Sequence, residues 1–179
     1  MIMPVVCAIF IFLALPVFAN VENVPPVYRT VAAEYSIPPA LLYSVALTES
    51  GNDFNGARLP WPWAVNHGGK GHYFSTRQAA YKYLSQVLKD GSTNFDIGLM
   101  QVNWRWNKAI FSSLWQALDP HTNLRGGASL LRDHYLRLGS YEAAVGAYHS
   151  PGNASRASAY RERVRNSLSV VLQPKARRF

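Results

Sequence analysis

Glu49 sits in poor company for an ionised side chain. It lies near the end of the stretch ALLYSVALTES, residues 40–50. Leu42, Val45, Ala46 and Glu49 follow i, i+3, i+4, i+7 spacing, which places them on one face of a helix. Three of the four are apolar, so that face should point at a core. A glutamate there also lies at the negative end of the helix dipole. Loss of water around the carboxyl raises its pKa and keeps the proton on near neutral pH. That is the condition a general acid needs. The competing reading is a glutamate that reaches water where Gly51 ends the helix.

Two other runs carry groups that suit a polar ligand. In FDIGLMQVNW, residues 95–104, Gly98 precedes Leu99, Met100 and Gln101, with Asn103 close behind. Side-chain amides both donate and accept hydrogen bonds, which suits sugar hydroxyls and acetamido groups. Gly98 permits close backbone approach to a ligand. Trp104 and Trp106 offer faces for sugar rings, whereas Met100 is a core-filling type. The structural alternative is a buried turn with satisfied amides. Asp96 is the best candidate for a second carboxylate. It would orient a water or Glu49, or fix its own turn, and the turn is the favoured reading. In AAVGAYHSP, residues 143–151, Tyr148 ends an apolar helix with a hydroxyl that can hold a buried carboxylate. His149 would bind a ligand or cap the helix. Packing is the simpler role for either residue alone.

These residues need helices to position them, and the pattern is mostly helical. Pro25-Pro26 and Pro38-Pro39 open helices over about 26–35 and 40–50. Residues 51–74, rich in Gly, Pro, Asn and aromatics, read as an irregular insert that includes a short hairpin. Ser75 should cap a helix over 76–89, ended by Asp90-Gly91. Short elements surround GLMQVNW. Further helices are expected over 107–117, 122–138, 141–149 and 154–172, with Gly139 ending one and Ser140 capping the next. No internal repeat or linker points to a second domain. A loop as long as 51–74 in a compact domain reads as functional. Its Trp61 and Trp63, each preceded by a proline, suit a sugar-stacking wall or a partner patch, and core packing is as good a reading for one of them.

Composition narrows the class. The chain has 179 residues, 49% apolar and 16% charged, too apolar and too weakly charged for a disordered chain. Residues 1–19 carry no charged side chain and end in Val17-Phe18-Ala19, the pattern of a signal peptide cleaved after Ala19. The alternative is an uncleaved anchor, and Pro4 and Pro16 leave a short helix for that. The only cysteine, Cys7, falls inside this segment, which excludes an intramolecular disulfide framework and a Cys-rich zinc site. Five histidines show no HExxH and no metal spacing, and no phosphate loop or Gly-x-Ser-x-Gly elbow is present. The net charge of +8 implies attraction to an anionic polymer, or only a solvated face. Seven of the 18 Lys and Arg lie in residues 156–179, including Arg161, Arg163, Arg165 and the tail 175–179. Export argues against a nucleic-acid partner.

Taken together, ALTES at 46–50, GLMQVN at 98–103 and AYH at 147–149, in that order, resemble the soluble lytic transglycosylase (SLT) family. The resemblance covers residues 27–172. DIGLMQVN and the insert PWPWAVN at 60–66 look most like the specialised transglycosylases of conjugation and type IV secretion systems. His149 departs from the Asn that usually follows Ala-Tyr, and Asp96 stands where many members have Ser.

The resemblance implies a mainly α, lysozyme-like domain of the SLT or goose type, over residues 20–174, with a small irregular or β-hairpin insert. It implies a periplasmic enzyme that cuts peptidoglycan between N-acetylmuramic acid and N-acetylglucosamine. Glu49 would protonate the glycosidic oxygen, then take the proton of the C6 hydroxyl as a 1,6-anhydro ring closes, with the 2-acetamido group stabilising the cation. Ser50, Gly98, Leu99, Met100, Gln101, Asn103, Tyr148 and His149 would form the substrate site, with Tyr148 bonded to Glu49 and Asp96 auxiliary. No cofactor, metal or membrane span after cleavage is expected. Glycan strands are the expected partner, with secretion-apparatus proteins as a further candidate. Two alternatives stand beside this reading. One is a hydrolytic muramidase in which Asp96 positions a water. The other is a non-catalytic wall binder using the basic C-terminus and the Trp insert.

Overall fold

Two proline pairs set the entry to the domain. Pro26 and Pro39 occupy first-turn positions, where the missing N–H costs nothing and the fixed φ favours a helix. They start α1 (Pro26–Glu34) and α2 (Pro39–Ser50). The computed structural model describes residues 23–174. The expected leader over 1–19 and the tail over 175–179 lie outside them.

α2 is more central than a single apolar stripe implies. Leu42, Val45 and Ala46 are fully buried, and residues on its other sides are buried too, among them Tyr43, Ser44 and Leu47. A helix apolar nearly all round belongs in the core. α2 packs against α1, against β2 (Ala57–Pro60) and against the last helix, α8 (Ala154–Val171).

Residues 51–74 form two hairpins, the β-hairpin form of the expected insert and not the irregular one. β1 (Gly51–Phe54) pairs with β2, and β3 (Ala64–His67) pairs with β4 (Lys70–Tyr73), both antiparallel. Asn55-Gly56 and Gly68-Gly69 turn the two hairpins with all four φ angles positive, the geometry of a two-residue hairpin loop. β3 then pairs with β5 (Phe95–Ile97), and β5 with β6 (Val102–Asn103), giving the order β4-β3-β5-β6. The register sets Asn66 beside Asp96 and Asp96 beside Asn103, a polar row across the sheet.

The remaining helices begin at side-chain caps. Thr76, not Ser75, caps α3 (Arg77–Lys89): its backbone is extended and its hydroxyl accepts from the Ala79 N–H. The expected helix over 107–117 is broken into α4 (Trp104–Asn107), a 3₁₀ turn over Lys108–Ile110 and α5 (Leu114–Ala117). Extended Ser113 interrupts it and caps α5. Asp119 caps α6 (Pro120–Leu138), which Gly139 ends in the left-handed region. Ser140 caps α7 (Tyr141–His149), and Asn153 caps α8. The domain is mainly helical with small antiparallel sheets, as an SLT-type, lysozyme-like fold requires.

One buried amide fixes the loop between β5 and β6. Asn123 of α6 is fully buried. Its Oδ1 accepts from the Met100 N–H at 2.9 Å, and its Nδ2 donates to the carbonyls of Ile97 and Ala117 at 2.9 and 3.0 Å. Gly98 makes room for it: a Cβ there would lie 2.6 Å from the Asn123 amide, at φ +76°. The close neighbour of Gly98 is therefore Asn123, which corrects the expectation of a ligand. Gly98→Ala should cost roughly 3 kcal/mol or more, from left-handed strain plus lost buried hydrogen bonds. Gly56→Ala, at φ +78° in open space, should cost about 1–2 kcal/mol. Urea midpoints compare the two, and equal losses contradict this account of Gly98.

Candidate active site

Glu49 lies in the last turn of α2, and α8 crosses that helix. The crossing brings the Tyr160 hydroxyl to donate to Glu49 Oε1 at 2.6 Å. Tyr160 is 1% exposed and Glu49 is half-buried, so the bond is sheltered from the Tyr160 side and open toward the cleft. Burial pushes the Glu49 carboxyl up to about 7. The Tyr160 bond opposes the rise, the charge of Asp96 adds to it, and Arg163 pulls against it. The phenols of Tyr160 and Tyr148 are pushed well above their usual range, by burial first and the Glu49 charge second.

Tyr148 does not bond to Glu49. Its hydroxyl donates to the Met100 carbonyl at 2.7 Å. That carbonyl lies in the turn outside the strand ladder, so Tyr148 pins the turn, and Tyr160 takes the place expected for it. His149 stacks flat on Tyr160, with centroids 4.5 Å apart and planes 4° apart. Burial, with the charges of Arg163 and Arg156, holds the His149 pKa below its ordinary value.

A cleft of about 1380 Å³ opens in front of Glu49. It exceeds the ~300–1,000 Å³ typical of sites for drug-sized ligands, as a polymer site should. One wall comes from the sheet and its turns, through Asn66, Gly69, Gly71 and Tyr73. The other comes from α6 and α8, through Asp133, Arg137, Arg156 and Arg163. Asp96, Gln101, Asn103, Tyr148 and His149 line it with Glu49.

Ser50, Gly98, Leu99 and Met100 do not line the cleft. They hold it from behind. Ser50 is fully buried and donates to the Leu99 carbonyl at 2.7 Å, tying the end of α2 to the turn. Leu99 and Met100 are core residues. The amides that face the cleft are also committed. Gln101, at φ 44°, donates through Nε2 to the carbonyls of Ala64 and Gly98 at 3.2 and 2.9 Å. Asn103 donates to Asp96 Oδ1 at 2.8 Å and to Asn94 Oδ1 at 3.1 Å, and accepts from the Trp106 N–H as the cap of α4.

Asp96 lies within strand β5, not in a turn. Its Oδ2 accepts from Asn66 at 3.2 Å, and burial raises its pKa against the pull of Asn103 and Asn66. Both its oxygens serve the polar row, and neither bonds to Glu49.

The aromatic expectations divide. Trp106 is 76% exposed and lines the cleft. Trp104 instead stacks on Phe95, with centroids 6.2 Å apart and planes 10° apart. Trp61 donates to the Phe74 carbonyl at 2.7 Å, and Trp63 packs against the core. Neither lines the cleft, which corrects the sugar-stacking wall.

Sequence reasoning missed Tyr160, Asn123 and Asn66. Tyr160 had a signal, as the lone aromatic of its helix on a stripe with Ala157 and Val164. Asn123 and Asn66 had none, because their partners are far away in sequence. Among the described residues no cluster of three or more His, Cys, Asp or Glu could hold a metal, and no helix is long and apolar enough to cross a membrane.

The family model of the transglycosylase SLT domain matches residues 27–168. The chain belongs to the transglycosylase SLT domain family. No curated protein and no solved structure matches it. SLT domains are lytic transglycosylases that act on peptidoglycan, so an enzyme role and that substrate follow at the level of the family.

The carboxyl of this SLT domain carries a stability signature. Folded Glu49 keeps its proton to about pH 7, against an ordinary value of 4.5. Below 4.5 both folded and unfolded states are protonated, and the shift has no effect. Between 4.5 and about 7 the unfolded state releases the proton first and gains ground. Above that window the full cost stands, on the order of 3 kcal/mol. Glu49→Gln should therefore raise the thermal midpoint at pH 8 by roughly 5–10 °C and leave it unchanged at pH 4. An equal effect at both pH values contradicts the assignment.

Proposed function

We propose that the protein is a peptidoglycan lytic transglycosylase in which Glu49 serves as both acid and base. The observation that carries this reading is the carboxyl at the end of α2, bonded among the described residues only to Tyr160 and pushed by burial up to about 7, facing a polymer-sized cleft. A carboxyl with that pKa is protonated often enough to give a proton and ionised readily enough to take one back. Tyr160 occupies Oε1, which leaves Oε2 to carry the transferable proton. Glu49 protonates the oxygen between N-acetylmuramic acid and N-acetylglucosamine. The muramyl 2-acetamido group stabilises the cationic carbon, and no protein nucleophile is needed. The Glu49 carboxylate then accepts the C6 hydroxyl proton, and that oxygen closes the 1,6-anhydro ring. No water is consumed.

The geometry favours this route over hydrolysis. Asp96, the carboxylate that would position a water, is tied to the sheet's polar row by Asn66 and Asn103 and makes no bond to Glu49. Cleft contacts are assigned to Gln101, Asn103, Tyr148 and His149, with Trp106 as a stacking face on the rim. Ser50, Gly98, Leu99 and Met100 act through the backbone they hold. The leader over 1–19 would deliver the enzyme to the periplasm. The motif likeness to conjugation and type IV secretion enzymes supports a role in local wall opening for such an apparatus.

Product analysis on purified sacculi tests the chemistry. The wild type should release anhydromuropeptides, lighter by one water than reducing ends, and Glu49→Gln should release none above background. Reducing ends from the wild type would instead mean hydrolysis, and normal turnover by the variant would remove Glu49 from the reaction. Rate should fall as pH rises through about 7, where the acid loses its proton. Tyr160→Phe removes a bond that favours the carboxylate, so the alkaline limb should move to higher pH while kcat falls. An unshifted limb contradicts the role of Tyr160.

A further inference from the structure

We propose that His67, His72 and Tyr83 form a site for one borderline-soft divalent cation, of the Zn²⁺ kind, on the back of the cleft wall. The β3–β4 register pairs Val65 with His72 and His67 with Lys70. Paired residues share a face and side chains alternate along a strand, so His67 and His72 are diagonal neighbours on one face. Asn66 and Gly71, which line the cleft, lie on the other. Tyr83 of α3 packs against the histidine face. Its ring centroid lies 4.9 Å from that of His72 and 6.1 Å from that of His67.

Three donor atoms converge there. His67 Nδ1 lies 3.1 Å from the Tyr83 hydroxyl oxygen, and His72 Nε2 lies 3.3 Å from the same oxygen. Hydrogen bonds between nitrogen and oxygen centre on about 2.9–3.0 Å. Donors about 2.0–2.1 Å from a tetrahedral Zn²⁺ stand ~3.3 Å apart, closer to the spacing found here. The outer shell fits as well. His67 turns its other ring nitrogen, Nε2, to the Ser92 hydroxyl at 3.3 Å. Metal-bound histidines commonly hold such a partner through the far nitrogen, which orients the ring. His72 stacks on Phe74 with planes 17° apart, which orients the second ring.

Two imidazoles select Zn²⁺ over the hard cations Mg²⁺ and Ca²⁺. A phenol stands in place of the third His, Cys, Asp or Glu that the described residues lack. Binding forms three coordinate bonds, sends the phenol proton to solvent and leaves the fourth position to water, with nothing oxidised or reduced. Lys70 shares the face but is exposed, so its ammonium reaches into solvent. Only the turn at Gly68-Gly69, both at positive φ, brings the two histidines together, which is why sequence spacing shows no metal site. The bound cation staples the β3–β4 hairpin to α3 and so steadies the wall that carries Asn66 and Gly71.

Calorimetric titration of chelator-stripped, untagged protein tests the site. Zn²⁺ should bind with one equivalent and Mg²⁺ should not bind. Zn²⁺ at a hundredfold excess over Kd should raise the thermal midpoint by roughly 5–10 °C. Co²⁺ in its place should give the intense visible bands of a four-coordinate ion. His67→Gln and His72→Gln should each lower affinity by at least about tenfold and abolish those bands. Tyr83→Phe, which keeps the ring packing, should lower affinity by a similar factor, and His121→Gln, outside the cluster, should leave it unchanged. Failure of Zn²⁺ to bind, unchanged affinity in both histidine variants, or an equal loss in His121→Gln overturns the site. Should a histidine variant fail to fold, the wild-type Co²⁺ spectrum still decides, because the weak bands of a six-coordinate ion contradict the assignment. These readouts use no substrate, so they stand apart from the lyase reading.

Discussion

Taking a carboxyl out of water at the end of α2 costs free energy that the rest of the domain must offset. The helix is buried nearly all round, and its last turn meets solvent only on the cleft side, where Thr48 and Glu49 are half-buried. The protein then supplies sparingly. One neutral hydroxyl donates to Glu49, and the nearest guanidinium, Arg163, sits over the ring of Tyr160 without an ion pair to the acid. More donors would stabilise the carboxylate and return its pKa to the ordinary range. The scarcity of partners is what makes the group useful as an acid.

Most polar side chains of the recognisable motifs serve that geometry from within. Ser50 ties the end of α2 to the 98–101 turn, and Tyr148 and Asn123 hold the turn from two further helices. Asn66, Asp96 and Asn103 cross-link three strands at one level. Each bond is worth only about 1 kcal/mol, but together they fix where the cleft wall stands relative to the acid. A preorganised wall spares the enzyme that ordering at the moment of reaction.

Local signals made much of the fold legible. Proline pairs, capping hydroxyls and the glycine after α6 mark helix ends to within a residue or two. Glu49 was legible because its burial follows from helical spacing alone. The hairpins were harder, since their strands are short and only the Asn-Gly and Gly-Gly turns advertise them. The helix over 107–117 failed at Ser113, whose side chain favours a cap over helix continuation. In the site, the hydroxyl on Glu49 was assigned to Tyr148 and belongs to Tyr160, 111 residues away in sequence. Pairings at that separation depend on how helices cross, which no local pattern encodes. Gln101 and Asn103 read as ligand amides for the same reason: their partners on β3 and β5 are set by strand register.

The state of one proton decides between this account and a merely wall-binding helical domain. A ¹³C NMR titration of the Glu49 carboxyl in the intact protein measures it directly. The account predicts a midpoint near 7, moving higher in Tyr160→Phe. A midpoint at the ordinary 4.5, unmoved by that substitution, would contradict it.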